Sequence, residues 1–475
     1  MKKFLSALLL LAVIGCNRQK EVVITVYFPE QPEVNMLVYS VPISGTTYLG
    51  FNDTLKQSVE GKFELKMKIK QPSFITIWDE GFANRVKLLV EPGNNYQISM
   101  LSQKNIEITG ANEKGQMLYT TLPDPSFIEL ELRTIGINVF NFSDTISLTY
   151  INQKISELKQ SDLSKFKELF DNNEITKSFF DLVQKDRDCY YASLEARFSL
   201  LKLNRLIRNE LEVDDDLLEN LKKIYTQYPP NDENLLFSSF WREYTALYES
   251  QYKQFIENDF ELDKYLNAKA LEFFRATHIH FTCFQGSFDK ELISLFEQFE
   301  NDYPKSEYSR FLKPYIEKII DYHRIIEQPF DTAVLFLENY ENIDTFEEAI
   351  EHFRGKKIYV DVWAQWCGPC IREFTHNEAL TKILSENDVQ LFYISIDRDN
   401  YEQEWKNAIK YYNLTGTHIR ANEVLYNNLM KLYSPEYPLI AIPWYLLIDE
   451  DGNIMERRAK SPSQLVSGEK LLEND

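Results

Sequence analysis

Cys367 and Cys370 stand three residues apart in Trp366-Cys367-Gly368-Pro369-Cys370. A Cys-x-x-Cys pair serves metal binding, haem attachment or thiol–disulfide exchange. A structural zinc needs a second ligand pair, and no His or Cys pair follows at a suitable spacing. Haem attachment needs His directly after the second cysteine, where Ile371 stands. A peroxidatic cysteine wants Thr three residues before it; Ala364 holds that place for Cys367 and His280 for Cys283. A redox dithiol remains. An apolar run enters the motif and a helical pattern leaves it, so Cys367 falls at a helix start, where unpaired N–H groups favour an anion and make it the attacking thiolate. Pro369 suits the first turn, because the N–H it lacks would have no partner there. Cys370, one turn deeper, resolves the mixed disulfide by attacking the Cys367 sulfur.

Two carboxylates stand near this pair. Asp361 interrupts the apolar run Ile358-Tyr359-Val360 and Val362-Trp363. A buried carboxylate is costly, so Asp361 asks either for a partner, Lys356 or Lys357, or for a role of its own. Glu373 lies three residues beyond Cys370 on the same helix face, where an Arg-Glu pair also reads as solvated surface. Ile442-Pro443 precedes another apolar run, and an X-Pro bond adopts cis at modest cost. Cys189 and Cys283 sit among aromatic residues and read as inert buried thiols, with a disulfide between them as the alternative. His278-x-His280, read on a strand, has no acidic or Cys neighbours with which to bind metal, and His376 reads as solvent-facing. No metal is expected, and no cofactor beyond the dithiol itself.

The stretch from Val360 to Cys370 closely resembles the thioredoxin active site. With Glu373 and Ile442-Pro443, residues 333–475 resemble the TlpA/ResA-like thiol–disulfide oxidoreductases, which are membrane-anchored. That resemblance implies an α/β thioredoxin fold and an enzyme that exchanges disulfides. It implies that Asp361 takes up or delivers the proton of Cys370 and that Glu373 modulates the cysteines. It also implies a cis Pro443, turning the Ile442 backbone toward Cys367 to pair with an extended substrate chain. Trp366, Gly368 and Pro369 complete the expected substrate-binding rim. Thr375 replaces the family's usual Pro, which is expected to change how the helix bends. Gly368-Pro369 is the dipeptide of reductive thioredoxins. It implies a reductant of disulfides in exported proteins, recharged by a membrane electron donor. The alternatives are an oxidase or isomerase of the same fold, or a ligand-binding lipoprotein carrying the redox domain as a passenger.

The elements that must position these residues alternate. Strands are expected at Ala333–Leu337, Lys357–Trp363, Val389–Ile396, Tyr445–Ile448 and Ile454–Arg457. Helices are expected at Thr345–Phe353, Pro369–Leu384, Glu402–Tyr411 and Ala421–Leu432, giving a mixed sheet with helices on both faces. Asp449-Glu450-Asp451-Gly452 reads as a hairpin turn. Ahead of this domain, residues 17–125 show short β runs at Val22–Phe28, Met36–Val41, Phe63–Ile69, Phe74–Trp78, Val86–Val90 and Tyr96–Met100, separated by turn signals. They predict an antiparallel β-sandwich-like domain. Glu91-Pro92-Gly93 and Ile108-Thr109-Gly110-Ala111-Asn112 resemble an uncharacterised N-terminal β module found before thioredoxin domains in envelope lipoproteins. Residues 126–330 read as all helical. Phe179, Phe180, Val183, Tyr190, Leu194, Phe198 and Leu201 make one buried face, and Pro229-Pro230, Pro304 and Pro329 mark breaks. This region is expected to be a spacer or recognition platform.

The first residues read as an address. Lys2-Lys3 precede an apolar run from Phe4 to Ile14, within the roughly 7–15 residues of a signal peptide and short of the ~20 a spanning helix needs. Val13-Ile14-Gly15-Cys16 resembles the lipobox of bacterial lipoproteins. The resemblance implies removal of the leader and a diacylated Cys16, which anchors the protein stably to a membrane. Asn17-Arg18-Gln19-Lys20 holds no acidic cluster, so a periplasm-facing lipoprotein of the inner or outer membrane of the cell envelope is expected. At 475 residues the chain exceeds a single core and predicts a multidomain protein. A net charge of −21 repels phosphate backbones and argues against nucleic acid as a partner. The longest acidic run, Asp214-Asp215-Asp216, reads as a solvated helix start.

Overall fold

The computed structural model describes residues 19–471 apart from 32, 60, 82, 103–104, 123–146, 214 and 437–438. The leader and Cys16 lie outside the described residues. The chain divides into two compact units, residues 1–317 and 318–475.

The first unit opens with two four-stranded sheets. One has the order β4-β1-β7-β8, from β1 (Lys20–Tyr27), β4 (Lys62–Ile69), β7 (Asn95–Ser102) and β8 (Asn105–Gly110). The other is β3-β2-β5-β6, from β2 (Met36–Ser40), β3 (Asn52–Lys56), β5 (Ser73–Asp79) and β6 (Arg85–Val90). Every pairing is antiparallel except that of β1 with β7, which is parallel. Val22, Ile24 and Val26 of β1 point to one core with Phe63, Leu65 and Ile98, as the two-residue period of a strand requires. The unexpected strands are β3 and β8, both at sheet edges, where a strand needs few apolar residues.

Helices follow: α1 (Glu113–Thr120), α2 (Leu148–Asp171), α3 (Lys177–Arg208), α4 (Asp215–Gln227), α5 (Trp241–Gln251), α6 (Leu262–Tyr265), α7 (Ala268–Phe284) and α8 (Glu291–Asp302), with α9 (Ser309–Ile326) crossing the division. Helix α3 starts where the Thr176 hydroxyl accepts the Phe179 N–H, and it buries Phe179, Val183, Tyr190, Leu194 and Phe198. The carboxylate of Asp186, fully buried on α3, receives Arg187 at 2.8 Å, Tyr119 at 3.1 Å and the Ser238 hydroxyl at 2.9 Å. This satisfies a charge that burial alone would make costly. Cys189 and Cys283 are free and buried, so no bridge joins them, and burial pushes the Cys283 thiol up to about 11. His278 and His280 lie on helix α7, not on a strand. Two positions apart on a helix they diverge, which removes them as paired ligands.

The second unit is built on a six-stranded sheet of order β14-β13-β10-β11-β12-β9. Its strands are β9 (Val334–Phe336), β10 (Lys357–Trp363), β11 (Val389–Ser395), β12 (Gly416–Arg420), β13 (Trp444–Ile448) and β14 (Ile454–Glu456). Strands β10, β11, β12 and β9 run parallel, and β13 and β14 antiparallel to their neighbours. Along β10, Ile358, Val360 and Val362 enter one core while Tyr359 and Trp363 enter the other. The helices are α10 (Phe346–Glu351), α11 (Gly368–Glu373), α12 (Asn377–Glu386), α13 (Glu402–Tyr411), α14 (Glu423–Tyr433) and α15 (Pro462–Val466). The single helix expected over Pro369–Leu384 is interrupted by a 3-10 turn at Phe374–His376. There the Thr375 hydroxyl bonds the Arg372 carbonyl at 2.8 Å and competes with the helical ladder.

Candidate active site at the Cys367–Cys370 disulfide

Strand β10 delivers the chain to the site and α11 carries it away. Cys367 and Cys370 form a disulfide with S–S 2.03 Å and Cα–Cα 5.3 Å. Cys367 is the N-cap of α11, and its sulfur accepts the Cys370 N–H at 3.1 Å. A sulfur held against an N–H at a helix start is better placed to carry negative charge. Both sulfurs sit in one apolar cluster with Trp363, Phe374 and Tyr445. The rim is open: Trp366 is 60% exposed, and Gly368 and Pro369 face solvent. Ile442-Pro443 is cis, and Ile442 packs against the cluster that holds both cysteines.

Asp361 is 1% exposed, and its Oδ1 has no hydrogen-bond partner among the described residues. The lysine pairing expected as one alternative is absent: Lys357 pairs with Glu450 at 3.5 Å, and Lys356 is exposed. Burial, with the Glu373 charge adding to it, pushes the Asp361 carboxyl well above its ordinary value of 3.8. Tyr393 and Tyr445 are the direct cross-strand neighbours of Asp361 on β11 and β13, so the three side chains share the face turned to the dithiol cluster. The hydroxyls of both tyrosines are also buried without partners among the described residues. Such a polar set in an apolar layer suits proton uptake and release more than packing.

Glu373 is half-buried and is not a solvated surface group. Its carboxylate accepts the Ser463 N–H at 2.8 Å and the Ser463 hydroxyl at 3.0 Å, which ties the active-site helix to the first turn of α15. His376 is half-buried. Three contributors escaped the sequence reading: Tyr393, Tyr445 and Asp397. The tyrosines become visible only once strand register is known. Asp397 carried a signal, since it follows the apolar strand β11 at the carboxyl edge of the parallel strands, where α/β sheets gather their functional loops. Among the described residues no group of three or more His, Cys, Asp or Glu could hold a metal ion. The arrangement is equipped for thiol–disulfide exchange: a rim-side sulfur at a helix start, a buried partner sulfur, and behind them a buried carboxyl whose affinity for a proton is raised.

Residues 346–469 match the family model Redoxin. Over 109 residues the chain is 27% identical to "Thiol-disulfide oxidoreductase ResA" of Bacillus thuringiensis subsp. konkukian (strain 97-27), covering 22% of this chain and 57% of that protein. Over 108 residues it is 28% identical to the protein of the same name from Bacillus cereus (strain ZK / E33L), covering 23% and 57%. A solved putative thiol-disulfide oxidoreductase from Bacteroides vulgatus is 32% identical, with 25% of this chain and 79% of that one covered and a TM-score of 0.21. The chain spans little more than half the length of the curated relatives it matches. The family match falls on the sheet and helices that carry the dithiol, and with the curated relatives it supports a TlpA/ResA-like thioredoxin fold for the C-terminal region.

Proposed function

We propose that the protein is a thiol–disulfide oxidoreductase held in the cell envelope by a lipidated Cys16, and that it reduces disulfides of exported proteins. The observation that carries this reading is the Cys367–Cys370 disulfide, with the Cys367 sulfur against an N–H at the start of α11. In the reduced state the Cys367 thiolate attacks one sulfur of a substrate disulfide. The S–S bond breaks, one substrate sulfur leaves as thiolate, and a mixed disulfide forms. Cys370 then loses its proton to Asp361 and attacks the Cys367 sulfur. The second substrate thiolate leaves, and the Cys367–Cys370 bond re-forms. Two electrons pass to the substrate in each cycle, and a membrane-bound dithiol donor restores the reduced pair. Trp366, Gly368, Pro369, Ile442 and Pro443 frame the rim that receives the extended substrate chain.

The test is insulin-disulfide reduction by the full chain. Cys367→Ser is expected to abolish turnover. Cys370→Ser is expected to stop after the first step and accumulate mixed disulfides with exported proteins in cells, identifiable by mass spectrometry. Undiminished turnover in Cys367→Ser would overturn the reading. A reduction potential near those of strongly oxidising envelope enzymes, about −120 mV, would leave the exchange chemistry standing and make the protein an oxidase.

A further inference from the structure

A second buried carboxylate reaches the dithiol loop from the neighbouring strand. We propose that Asp397 is a positioning residue: it holds the Gln365–Cys367 turn and through it the geometry in which the Cys367 sulfur ionises. The inference rests on the exchange reading above and adds a residue to it.

Asp397 stands two residues beyond the end of β11 and is 1% exposed. Its Oδ2 accepts the backbone N–H of Gln365 at 3.0 Å and the Ser395 hydroxyl at 2.8 Å. The Ser395 oxygen in turn accepts the Asp397 N–H at 3.0 Å, which fixes the carboxylate from its own side. Gln365 lies in the turn closed by the Cys367 N–H on the Ala364 carbonyl at 3.0 Å. The loops after the parallel strands are laced around this point. The Ile396 N–H reaches the Trp363 carbonyl at 2.9 Å, and the Ala421 N–H reaches the Ser395 carbonyl at 2.8 Å. Arg420, buried on β12, approaches the Asp397 carbonyl at 3.5 Å and pairs with the side chain of Asp399. The second carboxylate oxygen, Oδ1, is buried without a partner among the described residues. A charged acceptor kept in such a place at a desolvation cost is explained by the one bond it makes outside its own loop, the bond to Gln365. Releasing Gln365 frees Trp366 and the N-cap residue Cys367, and the sulfur no longer lies squarely on the Cys370 N–H that favours its anion.

The experiment uses the reduced full chain and two readouts: the pH dependence of Cys367 alkylation, and insulin reduction across pH. Asp397→Ala is expected to move the ionisation of Cys367 to higher pH. It should slow turnover at neutral pH about tenfold with KM little changed, the loss shrinking as the pH rises. Asp397→Asn, whose amide oxygen can accept the same two bonds, is expected to stay close to the parent in both readouts. If Asp397→Ala does not fold, Ser395→Ala, which frees one side of the carboxylate, should give the same shift in weaker form. An unchanged Cys367 ionisation in the variants, with only a lower Tm, would overturn the proposal. So would an Asn variant as impaired as the Ala variant, since charge and not the held bond would then be at work. A parent protein that ionises normally but never reduces insulin would sink the exchange reading, while the alkylation series would still decide the role of Asp397.

Discussion

At the scale of single residues, Asp361 joins stability to chemistry. Its carboxyl is raised above 3.8 by burial and then by Glu373, so the folded chain keeps a proton that the unfolded chain gives up. Stability from this site is therefore greatest at low pH and falls as pH climbs from about 4 toward the raised value. Asp361→Asn is expected to raise Tm at neutral pH by about 3 °C or more, the gain vanishing near pH 4, as calorimetry across pH would read. The same variant should slow release of the mixed disulfide, because Cys370 loses its proton acceptor. Glu373→Gln removes one of the two causes that raise Asp361. The limb of the pH–rate profile belonging to Asp361 should then move to lower pH without disappearing, because burial remains. The sequence displayed the dithiol, Asp361 and Pro443 as residues, and it displayed the oddity of a charge in an apolar run. It could not display what surrounds that charge: Tyr393 and Tyr445 lie 32 and 84 positions away and meet Asp361 only through register.

At the scale of elements, the strands easiest to read were those whose two faces are both buried, because they are continuous apolar runs. Strand β10 was legible to the residue. Strand β12, Gly-Thr-His-Ile-Arg, was not, though it lies inside the sheet between β11 and β9. It gains its place by means that hydropathy does not register. His418 stacks on Tyr393 at 4.7 Å and bonds the Leu414 carbonyl at 2.8 Å, while Arg420 is absorbed by Asp399 and the Asp397 carbonyl. Gly416 enters the strand at φ 134°, and a Cβ there would stand 2.8 Å from the Leu391 carbonyl oxygen. Gly416→Ala is therefore expected to destabilise the protein by about 1–3 kcal/mol, measured as a lower Tm with the dithiol chemistry of the folded fraction unchanged. The break in the active-site helix was half legible. Thr375 could be seen where a Pro was expected, but the hydroxyl bond that makes the 3-10 turn could not.

At the scale of the whole molecule, each unit carries a buried neutral histidine. Burial lowers His280 in the first unit to about 4 and His418 in the second to about 3, from an ordinary 6.5. Groups depressed in this way stabilise the fold above pH 6.5 and withdraw that support as pH falls through 6.5 toward their lowered values. Both units should therefore lose stability on acidification. In the second unit the loss is partly offset between about pH 6.5 and 4 by the opposite trend of Asp361, so Asp361→Asn should steepen its acid limb. At the other end of the chain, anchoring is testable by partition. Cys16→Ser is expected to move the protein from the detergent phase to the aqueous phase in a phase separation, whereas an unlipidated parent would already be aqueous.

The two sides of β10 divide labour in a way that bears on how such a protein can be retuned. Positions 358, 360 and 362 are purely apolar and anchor the sheet to one helical layer, while 359, 361 and 363 look toward the sulfurs. A designer or a lineage can thus redraw the electrochemistry at odd-numbered sites and leave the architecture resting on the even ones. Two adjacent positions on one ribbon answer to different physical demands.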